Sequence, residues 1–193
     1  MIAKQTKTIY QTKTIYQIKI TLAGATPPIW RTVLVPGDIR LDALHNVIQL
    51  AMGWTDSHLH QFIANKKFYG MPDDDLEMEM EDETKYKLAQ LLKKEKDVLV
   101  YEYDFGDSWE HIILLEKILP FDGKTALPVC IKGKRARPPE DCGGIWGYKD
   151  LLETLADPKH PDHDDMLEWL GGEFDPEAFD LADINDDLAE YCR

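Results

Sequence analysis

The stretch YEYDFGDSWEH, residues 101–111, places two aspartates and a histidine close together in the chain. A pair of histidines with a spacing of two residues occurs earlier, and on a strand both imidazoles would point to the same face. Imidazole and carboxylate groups together suit Zn²⁺, Mn²⁺ or iron. The alternative is that the aspartates only bind the backbone of their own turn, while the histidines pack at the edge of the core. The candidate ligands of a divalent metal are His58, His60, Asp104, Asp107 and His111.

The triplet Asp104-Phe105-Gly106 also resembles the magnesium-binding loop of protein kinases. A kinase needs, in addition, a glycine-rich loop, a strand lysine and a His-Arg-Asp catalytic loop. The sequence contains neither that glycine pattern nor a His-Arg-Asp triplet. We therefore exclude a kinase.

A second segment, ARPPEDCGGIWGY, combines residue types that packing alone does not call for. Two prolines stiffen its start, two carboxylates follow, and two glycines allow close backbone approach. The run KGKRAR just before it is the main concentration of basic charge, and arginine suits anionic groups. The segment predicts either a binding groove or a rigid lid over the core. The candidate ligand-binding residues are Trp109, Arg135, Arg137, Glu140, Asp141, Gly143, Gly144, Trp146 and Tyr148.

These candidates need a scaffold, and the hydrophobic pattern predicts one of class α+β. Residues 98–103 and 109–118 alternate as two strands of a central hairpin, with Asp-Phe-Gly-Asp-Ser as its turn. Residues 41–52 have helical spacing, and Gly53 is a typical helix end. We expect a mixed or antiparallel sheet with N-terminal strands, this hairpin, packed helices and an acidic helical C-terminus. Asp175 and Pro176 predict the start of the last helix.

The N-terminus carries a duplication, QTKTIY at residues 5–10 and again at 11–16. Six is an even number, so a slip by one repeat would leave every side chain on the same face of a strand. We therefore expect only one copy to pair in the sheet. Residues 1–15 are predicted to be an extension and residues 16–193 a single domain. A homodimer through strand-edge pairing is an open alternative.

The composition limits the classes of function. The 193 residues carry a net charge of −14, so nucleic acid, whose phosphates repel acidic proteins, is not an expected partner. The acidic run at residues 73–83 predicts a surface loop. Without a long apolar run, membrane insertion is not expected. Three cysteines and no apolar leader indicate a cytoplasmic protein.

Four long segments resemble the plasmid pRiA4b ORF-3-like family: YQIKITLAGATPPIWRTVLVP, LHNVIQLAMGWTDSHLHQF, YEYDFGDSWEH and RPPEDCGGIWGYKDLLETLADPKHPDH. The resemblance runs from about Tyr16 to the C-terminus. It implies an α+β protein of bacteria or archaea and no particular reaction. The positions that match the family's motifs are Asp104, Asp107, Trp109, His111, Glu140, Asp141, Gly143 and Gly144.

Three hypotheses about function follow. The first is a module that binds a small anion or a protein partner, in a cleft between the hairpin turn and the RPPEDCGG loop. The second is a metal-dependent hydrolase acting on phosphate esters or nucleic acid, with Glu140 as a general base. The third is a structural accessory protein of a mobile element. Beyond a divalent metal, no cofactor is implied.

Overall fold

The computed structural model describes residues 13–72 and 79–192, which form an eight-stranded sheet and five α-helices. The strands are β1 (Thr14–Leu22), β2 (Trp30–Pro36), β3 (His60–Ala64), β4 (Lys67–Gly70), β5 (Met80–Asp82), β6 (Val98–Tyr103), β7 (Trp109–Pro120) and β8 (Val129–Lys134). The helices are α1 (Leu41–Met52), α2 (Leu88–Leu91), α3 (Gly144–Ala156), α4 (His163–Leu170) and α5 (Leu181–Tyr191), with a short 3-10 helix at Glu83–Lys85. Among the helices in the described ranges, none has both the length and the apolar character needed to cross a membrane. The predicted α+β class is confirmed.

The strands join one mixed sheet in the order β5-β4-β3-β6-β7-β1-β2-β8. Neighbouring strands are antiparallel except β4 and β5, which are parallel. The predicted hairpin is β6 and β7, which pair from Val98↔Leu114 to Tyr103↔Trp109 around residues 104–108. β3 lies beside one of these strands and β1 beside the other, so the hairpin turn emerges from the middle of the sheet.

The core lies on one face of the sheet, against α1. Every second side chain of β1 from Tyr16 to Leu22 is buried, as the two-residue period of a strand requires. α1 is buried along most of its surface because the sheet and α5 both contact it. It ends at Gly53, whose φ of 95° is the left-handed conformation that glycine adopts most easily. The predicted helix end is therefore confirmed.

The second copy of the repeat enters the sheet. Its residues Ile15 and Tyr16 pair with β2 on one side and with β7 on the other, and Thr14 pairs with β7. The Tyr16 hydroxyl donates to the carbonyl oxygen of Leu92 at 3.1 Å, which fixes this register from the core side. The first copy lies outside the described residues, and the domain boundary at residues 15 and 16 stays a prediction.

The last helix begins later than the sequence suggests. Asp180 is its N-cap, and its Oδ1 accepts a hydrogen bond from the Ala182 N–H at 2.8 Å. Asp175 and Pro176 lie instead in the connection before it, where the Pro176 carbonyl accepts from the Ala136 N–H at 3.1 Å. The predicted start was wrong because this tertiary contact holds the connection against the end of β8, and tertiary context overrides local helix signals.

α5 also closes the edge of the sheet at β8. The Asn185 side chain accepts from the Cys130 N–H at 2.8 Å and donates to the Cys130 carbonyl at 2.9 Å. The amide therefore replaces a neighbouring strand at this position. Both backbone groups of a residue on an edge strand are satisfied in this way.

Candidate functional site

The hairpin turn is organised by Asp104, which is only 7% exposed. Its φ of 58° is left-handed, a conformation that Asp and Asn tolerate better than most residues. Its backbone N–H donates to the Leu59 carbonyl at 2.8 Å, and its Oδ1 accepts from the Gly106 N–H at 2.9 Å. The other carboxylate oxygen, Oδ2, lies 3.8 Å from Nε2 of His58.

The 137–144 loop lies directly against this turn. Asp107 Oδ2 accepts a hydrogen bond from the Gly143 N–H at 3.1 Å. A Cβ atom at Gly144, which has a φ of 67°, would lie 2.5 Å from the Asp107 carbonyl oxygen, so glycine is needed for this approach. The structure thus brings together the two segments that the sequence singled out.

His58 lies at this junction and faces three carboxylates. Its Nε2 is 3.3 Å from Asp141 Oδ1, 3.8 Å from Asp104 Oδ2 and 4.0 Å from Glu140 Oε2. The Asp141 side chain is 71% exposed and the other two carboxylates are largely buried. The cluster therefore has a closed inner side and one side that is open to solvent.

Glu140 is held by one of its oxygens only. Its Oε1 accepts from the backbone N–H and the side-chain hydroxyl of Thr55, both at 2.9 Å. The Tyr103 hydroxyl donates to the same oxygen at 3.4 Å, and burial raises the pKa of Tyr103 to about 12, which keeps this donor protonated. Oε2 is buried and has no hydrogen-bond partner in the described part of the chain. A fixed carboxylate with one unused oxygen therefore points into the cluster.

The donor atoms suit a divalent cation. One ligand atom each from His58, Asp104 and Asp141 lies within 4.8 Å of the others. Ligands bound at about 2.1 Å to one ion lie roughly 3–4 Å apart, so a small rotation of the exposed Asp141 side chain would bring the three into place. Mixed imidazole and carboxylate ligation is typical of Zn²⁺, Mn²⁺ and Fe²⁺ sites.

The sequence model of the family described as plasmid pRiA4b ORF-3-like protein matches residues 14–183, which include every residue of this cluster. The chain belongs to this family. The matched residues contain the hairpin turn, the 137–144 loop, α3, α4 and the beginning of α5.

Two proteins are similar to this chain over most of its length. The uncharacterised protein y4hQ of Sinorhizobium fredii is 40% identical over 177 residues, which cover 89% of this chain and 91% of y4hQ. The crystal structure of MM3350, a protein of unknown function from Methanosarcina mazei Go1, has a TM-score of 0.81 and 39% identity. That similarity covers 90% of this chain and 98% of MM3350, so the fold described above is shared.

The two arginines expected to meet an anion are engaged within the pRiA4b ORF-3-like domain itself. The Arg137 guanidinium donates to the carbonyls of Gly53 and Pro138, and it lies 5.1 Å from the centre of the Trp54 ring. Arg135 Nη2 forms an ion pair with Glu177 Oε1 at 2.7 Å. Both side chains hold segments of the fold together, so an anion would have to compete with these contacts.

The remaining metal candidates lie outside the cluster. Asp107 serves the 137–144 loop as described, and His60 Nε2 pairs with Glu83 Oε2 at 2.9 Å. His111 is fully buried, where its Nε2 accepts from the Trp54 indole N–H at 3.2 Å. Of the five predicted ligands, the structure therefore brings together His58 and Asp104. Asp141, which the sequence suggested as a ligand-binding residue, joins them.

The three aromatic candidates are divided between the core and the surface. Trp109 is 1% exposed and packs in the core, and Tyr148 is also buried, close to Phe174. Trp146 is 76% exposed near the N-terminus of α3. Of these three, only Trp146 offers a large surface to a partner in solution.

A buried polar network beside the cluster was not expected from the sequence. The rings of His45 and His60 stack with their centres 3.5 Å apart, and His45 bridges Asp56 Oδ1 (2.9 Å) and the Tyr101 hydroxyl (2.8 Å). Gln49, one helical turn after His45 on α1, also donates to that hydroxyl at 2.8 Å. A His and a Gln four residues apart, beside the apolar positions of the helix, were the available signal.

Proposed function

We propose that this protein is a ligand-binding module that holds a divalent cation where the hairpin turn meets the 137–144 loop. The proposed ligands are His58, Asp104 and Asp141, with Glu140 in reach. One observation carries the proposal: a single imidazole nitrogen lies within 4.0 Å of three separate carboxylates.

The charges explain why a cation would be favoured here. Carboxylates that share a partly buried site repel one another, and one imidazole can neutralise at most one of them. A divalent cation would interact favourably with all three, and with Glu140 it would do so through the free Oε2. The bound ion, rather than Arg135 or Arg137, would then be the group that attracts a small anionic ligand from the open side.

A metal-dependent hydrolase acting on phosphate esters or nucleic acid is a second candidate. The observation that favours it is the orientation of Glu140, whose Oε1 is anchored by Thr55 while Oε2 is free. A carboxylate held in this way could accept a proton from a water molecule on the adjacent cation. The chemistry of the metal would be to lower the pKa of that water.

The proposal is tested by metal binding to untagged protein stripped with a chelator and titrated calorimetrically with Zn²⁺, Mn²⁺, Fe²⁺ and Mg²⁺. We expect about one ion per chain for at least one metal. Asp104→Asn should weaken binding by more than about tenfold, because the charge of a direct ligand is lost. Asn tolerates a φ of 58° and keeps the oxygen that accepts from Gly106, so the turn should stay intact.

Matched controls separate the site from general attraction of cations to an acidic protein. Asp186→Asn removes one exposed carboxylate on α5, and His163→Gln removes a histidine outside the cluster. Neither substitution should change the affinity of the protein for the metal ion. If the parent binds none of the four ions, or if Asp104→Asn behaves like Asp186→Asn, the proposed cation site is wrong.

The same variants decide between the two candidates. A hydrolase predicts turnover of a chromogenic phosphate ester by the metal-loaded protein, lost in Glu140→Gln although the ion is retained. If the protein binds the metal but does not turn over the ester, the hydrolase hypothesis is rejected and the binding-module hypothesis is retained.

A further inference from the structure

A cavity of about 310 Å³ lies on the other side of the 137–144 loop, between α3 and α4. Leu151, Met166 and Trp169 form apolar parts of its wall. Trp169 is 48% exposed, so a large aromatic face remains available to a ligand. The volume is enough for an aliphatic chain of several methylene groups.

The polar part of the wall is acidic. Asp141, Asp150 and Asp162 line the cavity, and no lysine or arginine does so among the residues that the structure describes. Lys149, the neighbour of Asp150, pairs with Glu153 at 3.7 Å instead. Within the described ranges, the ion-pair partner of Asp162 is His160, whose Nδ1 lies 3.9 Å from Asp162 Oδ2.

These observations restrict the chemistry of the occupant. An anion would be repelled by the three carboxylates, and a purely apolar ligand would gain nothing from their charge. A cation on an aliphatic stem fits both parts of the wall, since its charge can meet the carboxylates while the stem covers Leu151 and Met166. An ammonium group can in addition lie against the Trp169 ring, an arrangement that is favourable for cations on indole faces.

We propose that the α3–α4 cavity binds a primary alkylammonium group, carried either by a free amine or by a lysine side chain. Asp150 and Asp162 meet the charge, and the Trp169 ring contacts it through its face. The cavity shares Asp141 with the proposed cation site but needs no metal, so the two proposals can fail separately.

The test is calorimetric titration of the full chain, in the presence of a chelator, with 1,5-diaminopentane and with an acetylated, amidated Gly-Lys-Gly peptide. Binding of the amine, the peptide or both supports the proposal and tells the two sources apart. Pentane-1,5-diol should bind at least about tenfold more weakly and glutarate not at all, because they lack the positive charge. Equal binding of the diol and the amine, or no binding of either amine probe, would overturn it.

Variants locate the binding. Asp150→Asn should weaken amine binding by about two- to fivefold, as expected for a partly exposed ion pair, and high salt should weaken it further. Trp169→Leu keeps an apolar wall, but its affinity for the amine should fall by a similar factor because the aromatic ring face is missing. Asp186→Asn, on α5 and outside the cavity, should bind like the parent. An equal loss in Asp150→Asn and Asp186→Asn would mean non-specific attraction and would refute the site. Asp104→Asn should retain amine binding even if it loses the metal.

Discussion

Acidification should destabilise this protein through His111, because the folded state holds that imidazole neutral. The side chain is fully buried, and its Nε2 accepts from the Trp54 indole N–H at 3.2 Å. A second proton would occupy this acceptor and leave two N–H groups facing each other. Burial therefore lowers the pKa of His111 from 6.5 to about 4.

The size of the effect follows from the two pKa values. Between pH 6.5 and pH 4 the unfolded chain binds a proton at this residue and the folded chain does not, so the free energy of unfolding falls as the pH falls. One pKa unit corresponds to about 1.4 kcal/mol, which gives a loss of about 3 kcal/mol across the window. Above pH 6.5 both states are neutral at His111, and the residue adds no further dependence on pH.

Urea denaturation followed by circular dichroism from pH 8 to pH 4 measures this loss against His111→Gln. The variant is less stable at pH 8 because core packing is disturbed, but its disadvantage should shrink by about 3 kcal/mol at pH 4. Trp54→Phe removes the hydrogen-bond donor and keeps the imidazole. It should be less stable than the parent at pH 8, and its loss of stability on acidification should be no larger than that of the parent, because the N–H that opposes protonation is gone. If the parent and His111→Gln lose stability in parallel, the titration of this residue is not the cause.

Two further substitutions test contacts that hold the fold around the site. Gly144→Ala should lower the free energy of unfolding by about 2–3 kcal/mol and weaken cation binding, because its Cβ would lie 2.5 Å from the Asp107 carbonyl oxygen. Gly171→Ala has a similar φ of 74° but open space around it, so it should cost only about 1 kcal/mol, and equal costs in urea denaturation would contradict the proposed clash. Asn185→Ala should cost about 1–3 kcal/mol, because both backbone groups of Cys130 lose their partner. Asn185→Asp keeps only the acceptor, so its free energy of unfolding should lie between those of the parent and Asn185→Ala. Unchanged stability in Asn185→Ala would show that water replaces the amide.

Elements fixed by local signals were predictable from the sequence. The β6–β7 hairpin was found because two alternating apolar runs flank a short turn containing glycine and aspartate. α1 was found because its apolar period is strong and Gly53 ends it. The start of α5 was missed because Asp175 and Asp180 are equally good caps in isolation, and only the contact of Pro176 with Ala136 excludes the first.

The buried acid Glu83 is a second residue whose position could not be predicted from local sequence. It ends an acidic run that composition assigns to the surface, yet it is buried beside His60. Burial of a carboxylate depends on a partner from elsewhere in the chain, and no local pattern reveals such a partner.

The sequence alone determined that the hairpin turn and the glycine-containing loop exist and carry carboxylates. Which side chains meet was decided by the tertiary structure. The rings of His58 and His60 both lie against β6, beside Tyr103 and Tyr101, but β3 begins only at His60, so no strand period fixes the direction of the His58 side chain. One imidazole therefore turns to Asp104 and Asp141, and the other to Glu83. The direction of a side chain just outside a strand depends on long-range packing, because there the backbone has no period that fixes it.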